Sequence, residues 1–150
     1  GKPGPIRQIE YDLMDIEIGE SWPIPITGIH GSRPGPVVTL IGALHGNELV
    51  GPLALTYLQS HAILGEDKAI DPTTVAGTIR IIPIVNMPGY RRRSRYMTDG
   101  RDLNRFFPRK KDSNTTSTVA NRICNEIIAI INYIRCSWKS HRPNSRWQSY

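Results

Sequence analysis

The feature that most constrains the fold is a pair of short apolar runs with a helical pattern between them. Residues 37–41 (Val-Val-Thr-Leu-Ile) and residues 78–85 are rich in β-branched side chains and short enough to be strands. Such continuous apolar runs predict strands buried on both faces, as in parallel sheets. Two earlier segments, 11–18 and 22–29, are also predicted to be extended, the second at a sheet edge because its two prolines cannot donate ladder hydrogen bonds.

Two segments with helical spacing accompany these strands. The first spans residues 48–64, and the second begins at Ser117 or Thr118. Their predicted apolar stripes consist of Leu49, Leu53, Tyr57 and Leu58 in the first helix and Val119, Ile123, Ile127, Ile130 and Ile134 in the second. The alternation predicts an α/β domain with a mixed, partly parallel sheet flanked by helices. Residues 86–115 are predicted to form a long loop, and such loops in compact domains tend to carry function.

Composition narrows the possible partners of this 150-residue chain, which has the length of a single domain. The net charge of +6 is concentrated between positions 91 and 111, where arginines and lysines crowd together. Such a patch attracts carboxylates, phosphates or nucleic acid, and a solvated basic loop is the plain alternative.

No apolar run is long enough to span a bilayer and no secretory signal is evident, so a cytoplasmic location is expected. Cys124 and Cys136 fit no metal or redox motif, and Cys124 is expected to be a small core residue.

His45 and Glu48 follow the first apolar run, where the chain should turn from strand to helix. An imidazole and a carboxylate three positions apart at such a turn can point at one cation. Zn²⁺ accepts this mixed N/O ligation, and catalytic zinc sites have three protein ligands and an open position. The alternative is a hydrogen-bonded loop histidine and a glutamate that interacts with the dipole of the helix. A second polar cluster, residues 102–106 (Asp-Leu-Asn-Arg-Phe), favours the metal, because ligands of α/β sheets bind where strands end and helices begin.

A zinc site needs a third ligand, and another histidine is the preferred choice. The candidates are His30, His61 and His141. His30 precedes a Gly/Pro-rich turn, and His61 lies late in the first helix, where it is expected to face solvent. His141 lies beyond the second helix, where a following strand could return to the site, and it is the best candidate on topology.

Taken together, the motifs resemble the succinylglutamate desuccinylase/aspartoacylase family, which has a zinc-carboxypeptidase-like fold. Residues 42–48 (Gly-Ala-Leu-His-Gly-Asn-Glu) match the zinc motif of that family. Residues 86–90 (Asn-Met-Pro-Gly-Tyr), followed by 99–108 (Asp-Gly-Arg-Asp-Leu-Asn-Arg-Phe-Phe-Pro), match its second motif. The resemblance extends from about residue 10 to residue 134.

The resemblance implies a zinc-dependent hydrolase that cleaves amide or ester bonds of acidic substrates similar to N-acyl amino acids. His45 and Glu48 would be ligands of one Zn²⁺ per chain, with His141 as a candidate third ligand. The substrate carboxylate would be held by Asn104 and Arg105, with help from Arg95. Arg105 suits this role because a guanidinium grips a carboxylate through two parallel hydrogen bonds. Asp102 would orient a metal ligand or its loop rather than act as a catalytic acid.

Two departures from the family pattern concern the C-terminal part of the chain. The family places its third ligand in an Asp-Leu-His-Thr sequence, whereas His141 is preceded by Lys-Ser and followed by Arg. Its general base is a downstream glutamate, but no carboxylate follows Glu126 here. These departures predict a single, partial catalytic domain, apparently truncated, with an atypical tail at 135–150 and no general base. The alternative function is a basic nucleic-acid- or anion-binding module without catalysis, which leaves His45 and Glu48 unexplained.

Overall fold

The computed structural model describes residues 6–16, 20–64, 70–107 and 114–127. Its elements in chain order are β1 (Arg7–Ile16), β2 (Glu20–His30), β3 (Arg33–Ile41), α1 (Val50–Leu64), β4 (Ala76–Ile82), α2 (Met87–Arg91) and α3 (Thr115–Arg122). A single 3-10 turn, Leu103–Arg105, lies between α2 and α3, and α3 continues into a π-helical turn, Ile123–Ile127. No helix in these ranges has both the length and the apolar character needed to cross a membrane.

The four strands form one mixed sheet in the order β1-β2-β4-β3. β2 is antiparallel to both of its neighbours, β1 and β4, whereas β3 is parallel to β4. The parallel pair is connected through α1, as a parallel crossover requires. The predicted fold class, a mixed and partly parallel sheet with helices, is confirmed.

The predicted edge position of the proline-containing strand is wrong. β2 is internal, and β1 and β3 are the outer strands of the described sheet. The prolines are tolerated because β4 pairs with β2 only from Thr27 to His30. Pro23 and Pro25 lie before that stretch, opposite Asp12 and Glu10 of β1. On the side that faces away from β1, the backbone of these two prolines has no strand partner in the described sheet. The missing N–H of proline therefore leaves no acceptor unpaired on that side.

The two faces of the sheet carry separate hydrophobic clusters, because successive residues of a strand point to opposite faces. Ile81 packs with Ile29 on the face that α1 covers, and Ile82 packs with Ile24 and Ile26 on the face that α3 covers. The α3 face is extended by buried side chains from loops, the 3-10 turn, α3 and the π-helical turn: Val85, Met97, Leu103, Phe106, Val119, Ala120 and Ile123. This larger cluster supports the loops that follow β3 and β4.

Two burial predictions, one for β3 and one for α1, are wrong. β3 is an outer strand rather than a strand buried on both faces, so Val38 and Ile41 are each 46% exposed. The predicted stripe of the first helix is exposed: Leu49 directly precedes α1, and Leu53 and Tyr57 lie on its solvent side. Leu55 and Leu58 pack against the sheet instead, so of the predicted set Leu58 alone faces the core.

The described residues from 86 onward contain more regular secondary structure than the sequence predicted. The predicted loop 86–115 contains α2 and the 3-10 turn. The predicted last helix exists, but its N-cap is Asn114, whose side-chain oxygen accepts a hydrogen bond from the Ser117 amide at 2.8 Å. Val119 and Ile123 are buried as predicted, whereas Cys124 is partly exposed. The rest of the predicted stripe, from Ile127 onward, and the predicted tail lie outside the side chains that the structure describes.

Candidate active site

His45 lies at the centre of a polar cluster beyond the C-terminal end of β3. Its imidazole is buried, and both ring nitrogens face carboxylates. Nδ1 lies 2.9 Å from Oε1 of Glu48, and Nε2 lies 2.8 Å from Oδ1 of Asp102. The two predicted metal ligands therefore lie side by side, and Asp102 contacts the far side of the ring.

A neutral imidazole between two ionised carboxylates does not satisfy this arrangement by itself. A neutral imidazole carries a hydrogen on one nitrogen and a lone pair on the other. If Nε2 donates to Asp102, the Nδ1 lone pair points at a carboxylate oxygen 2.9 Å away. Two lone pairs repel each other at that distance unless a proton or a metal ion lies between them. The geometry suits either an imidazolium that donates to both carboxylates or a cation shared by Nδ1 and Oε1.

The turn that carries His45 is fixed by close backbone contact with the start of α2. A Cβ atom on Gly46 would lie 1.9 Å from the carbonyl carbon of Gly89, so no larger residue fits there. The fully buried side chain of Asn86 caps α2 by accepting a hydrogen bond from the Gly89 amide at 3.0 Å. The same side chain donates to the Leu44 carbonyl at 3.3 Å. Ala43, two residues before His45, has a φ of +46°, a left-handed conformation that costs a residue with a side chain about 1 kcal/mol.

Asp102 is held in place from several directions. Its Oδ1 accepts a hydrogen bond from the Asn104 amide at 3.0 Å as well as facing His45, and its Oδ2 accepts one from Arg95 Nη2 at 3.2 Å. Burial by itself raises the pKa of Asp102, but the hydrogen bonds from His45, Asn104 and Arg95 outweigh that effect. The pKa therefore lies below its ordinary value, and the group is a carboxylate at neutral pH.

The three residues predicted to bind the substrate have different positions. Arg95 lies inside the cluster, where Nη1 is 3.6 Å from Oε1 of Glu48 in addition to the contact with Asp102. Asn104 and Arg105 lie on the exposed 3-10 turn directly after Asp102. The turn thus places an amide and a guanidinium at the surface beside the carboxylate cluster, and their predicted role stays a prediction.

The third metal ligand stays open. His30 is buried near the end of β2, where Nδ1 lies 3.1 Å from the Thr78 hydroxyl across the strand pair, so it is engaged in the sheet. His61 lies in α1 with a side chain that is not described, and His141 lies outside the described residues. Within those residues, no group of three or more His, Cys, Asp or Glu side chains is arranged to hold a metal ion.

Two residues of the site, Asn86 and Asp99, lie within the matched motifs, but the sequence analysis assigned neither of them a structural role. Asn86 has a signal in retrospect, because an asparagine two positions before a proline at the start of a helix is a typical N-cap. The contact that Asp99 makes has no local signal, because its partner is distant in sequence. Asp99 accepts hydrogen bonds from the amide and hydroxyl of Thr116 at the start of α3. Asp99 therefore ties the arginine-rich loop to α3.

Comparison with known proteins agrees with the motifs. The family model of the succinylglutamate desuccinylase/aspartoacylase catalytic domain matches residues 34–133, two thirds of the chain. The chain belongs to this family. The matched region contains His45, Glu48, Arg95 and the turn from Asp102 to Arg105, and it lies within the span of 10–134 predicted from the motifs.

The relatives are much longer than this chain. N-alpha-acetyl-L-2,4-diaminobutyric acid deacetylase of Halomonas elongata is 36% identical over 100 residues, which cover 65% of this chain and 26% of the relative. The crystal structure of a succinylglutamate desuccinylase/aspartoacylase from Rhodobacter sphaeroides is 26% identical with a TM-score of 0.63, covering 86% of this chain and 38% of its own. The chain therefore spans about a quarter to two fifths of the length of these family members.

The fold extends beyond the family. Thrombin activatable fibrinolysis inhibitor, whose fold is carboxypeptidase-like, superposes with a TM-score of 0.54 over 89% of this chain and 39% of its own, at 19% identity. At that identity the likeness concerns the fold alone. It confirms the predicted carboxypeptidase-like architecture.

Proposed function

We propose that this chain carries two ligands of the zinc site of a deacylase that hydrolyses acidic, N-acyl amino acid-like substrates. The observation that carries the proposal is the environment of His45: one ring nitrogen faces the Glu48 carboxylate at 2.9 Å, while the other faces Asp102 at 2.8 Å. A ligand histidine characteristically donates its second N–H to a carboxylate, which fixes the tautomer and raises the basicity of the ligating nitrogen. Family membership supplies the reaction class, since relatives include a deacetylase and desuccinylases.

The residues present fit a zinc ion in the chemistry of their donors. Nδ1 of His45 and a carboxylate oxygen of Glu48 are the nitrogen and oxygen ligands that Zn²⁺ accepts. The exposure of Glu48 leaves room for a further ligand and for substrate on that side. A zinc ion held there would supply Lewis acidity, polarising the acyl carbonyl and lowering the pKa of a nearby water molecule. We propose His141 as the third ligand.

The remaining side chains have distinct proposed roles in this site. Asp102 keeps the proton on Nε2 of His45 and thereby keeps Nδ1 available as a ligand. Arg105 and Asn104, on the exposed turn beside the cluster, would bind the substrate carboxylate, which an arginine can accept through two parallel hydrogen bonds. The positive charge of Arg95 and its arginine neighbours would draw an acidic substrate toward the site.

The relatives suggest which substrates to test, and the residues present indicate how much turnover to expect. The deacetylase of Halomonas elongata is named for N-alpha-acetyl-L-2,4-diaminobutyric acid, so we propose small N-acyl amino acids as the substrates to test first. Hydrolysis also needs a group that transfers protons to and from water and the leaving amine. Because no carboxylate follows Glu126 among these 150 residues, we propose that the isolated chain binds zinc without efficient turnover.

Zinc binding by the purified chain tests the proposal directly. We expect one zinc ion per chain, removable by a chelator. His45→Ala should abolish stoichiometric binding, and Glu48→Gln should weaken it by at least roughly 100-fold, since loss of a partner that merely orients a ligand already costs about 10–100-fold. Asp71→Asn is the matched control for Glu48→Gln. It also removes one carboxylate, but at the opposite end of β4, where Asp71 accepts hydrogen bonds from the amide and hydroxyl of Thr73, and it should leave the affinity unchanged.

Retention of stoichiometric zinc by folded His45→Ala would remove His45 from the site and end the proposal. Equal weakening by Glu48→Gln and Asp71→Asn would show that zinc binds carboxylates nonspecifically, with the same consequence. A third result, steeply salt-dependent binding of generic DNA by a chain that takes up no zinc, would favour the alternative of a basic nucleic-acid-binding module.

A further inference from the structure

Arg95 lies against both carboxylates of the cluster, and it approaches the same oxygen of Glu48 that faces His45. Oε1 of Glu48 is 2.9 Å from Nδ1 of His45 and 3.6 Å from Nη1 of Arg95. The second guanidinium nitrogen, Nη2, is 3.2 Å from Oδ2 of Asp102. One carboxylate oxygen is therefore shared between the imidazole that would bind the metal and a permanent positive charge.

The two contacts of Arg95 differ in kind. The distance of 3.2 Å to Asp102 lies within the range of a hydrogen bond, whereas 3.6 Å to Glu48 is too long for one. Arg95 is thus anchored by Asp102 and places its charge beside Glu48 without fixing the orientation of that side chain. The contact with Glu48 is electrostatic.

The position of the His45 ring has supports other than Arg95. Asp102 holds the ring through Nε2, and Asp102 is itself held by the Asn104 amide at 3.0 Å. The burial of Leu103 further fixes this stretch of backbone. Removal of the guanidinium would therefore change the charge beside the two donors much more than their placement.

We propose that Arg95 lowers the affinity of the His45–Glu48 pair for a divalent cation and so keeps the metal exchangeable. The inference rests on the proposed metal site. A guanidinium next to Glu48 repels a cation that binds to the same oxygen and satisfies part of the negative charge that the cation would otherwise use. Because Arg95 is partly exposed, solvent screens this repulsion, and we expect a moderate effect.

Zinc affinities measured by competition with a chromogenic chelator test the inference. Arg95→Gln should bind zinc about tenfold more tightly than the wild type, which corresponds to about 1.4 kcal/mol. Arg95→Lys keeps the charge and should stay close to the wild type. Arg92→Gln is the matched control, because it removes an equally positive but exposed side chain from the same loop, and it should change the affinity by less than about twofold, as expected for a screened surface charge.

The salt dependence of the affinity difference separates a charge effect from a structural one. The gap between Arg95→Gln and the wild type should narrow at high ionic strength, since exposed charges are then screened. Thermal melts establish that the variants fold, and Arg95→Met serves if the glutamine variant does not.

Each contrary result identifies what failed. Unchanged or weaker zinc binding by Arg95→Gln, with a wild type that binds one zinc ion, would overturn this inference and leave the metal site standing. Equal tightening by Arg95→Lys would assign the effect to the geometry of the guanidinium and overturn the charge argument. A wild type that binds no zinc would overturn the proposed site and this inference with it.

Discussion

Among the side chains that the structure describes, eleven hydrophobic ones are buried on the α3 face of the sheet. Two, Ile29 and Ile81, are buried on the α1 face. Other residues of the α1 face are partly buried, and α1 itself leaves Val50 and Leu53 81% and 69% exposed. Both faces belong to the same four strands. The difference arises mostly from what packs on them, because seven of the eleven side chains on the α3 face come from segments outside the strands.

The candidate site is built on the well-packed face. Met97, Leu103 and Phe106 belong to the loop that carries Arg95 and Asp102, and all three are buried in the α3-side cluster. Because Leu103 follows Asp102 directly, its burial helps to fix the carboxylate that faces His45. The packing of this face thus contributes to the position of a functional side chain as well as to stability.

Two leucine-to-alanine substitutions, one in the α3-side cluster and one on α1, test the difference in packing most strongly. Leu103→Ala should lower the free energy of unfolding by about 2–5 kcal/mol, because it leaves a cavity around a fully buried side chain. Leu53→Ala, at an exposed position of α1, should change it by less than about 0.5 kcal/mol. Urea unfolding at equilibrium gives both values. Similar losses for the two variants would show that the α1 face is as well packed as the α3 face.

A smaller effect is expected where the site loop is tied to α3. Asp99→Asn should cost about 1–2 kcal/mol at neutral pH, because charge-assisted hydrogen bonds to the amide and hydroxyl of Thr116 are weakened. Burial alone raises the pKa of Asp99, but the hydrogen bonds from Thr116 and the Arg101 amide, together with the Arg101 charge, bring it below the ordinary value of 3.8.

The sign of the pH dependence follows from that lowered pKa. The unfolded chain binds the proton more readily than the folded one, so the contribution of Asp99 is fully present above about pH 4 and is lost as the pH falls through the lower folded value. The wild type should therefore lose more stability than Asp99→Asn below about pH 4. Parallel stability curves for the two proteins in that range would contradict this account.

The sequence predicted which polar residues lie together better than it predicted the packing. The structure brings His45, Glu48 and Asp102 together at the end of a strand, as the two motifs indicated, and the strands that position them were also located. Which face of α1 is buried could not be predicted, since apolar residues occur on several of its faces: Val50, Leu53, Leu55, Tyr57 and Leu58. A periodic pattern selects a face only when the other faces are polar.

Strand order and the link through Asp99 depend on pairing between distant segments. The two prolines of β2 predicted an edge strand. The strand can be internal because β4 pairs with β2 only from Thr27 onward, beyond both prolines. The contact between Asp99 and Thr116 spans a turn and a segment without periodicity, so no local pattern indicates it. These features follow from tertiary packing, which local propensity does not determine.

The smallest effect on stability is expected for a charge on the exposed face of α1. Val50, Leu53 and Tyr57 are spaced at helical intervals and form an apolar patch on one side of the helix. Leu53→Lys should leave the free energy of unfolding within about 0.5 kcal/mol of the wild type, since its side chain contributes little to the core. It should also reduce self-association of the chain, because exposed apolar patches promote contact between molecules. Sedimentation velocity over a range of concentrations measures that change. A large loss of stability in Leu53→Lys would mean that this side of α1 is covered, and the contrast between the two faces would then disappear.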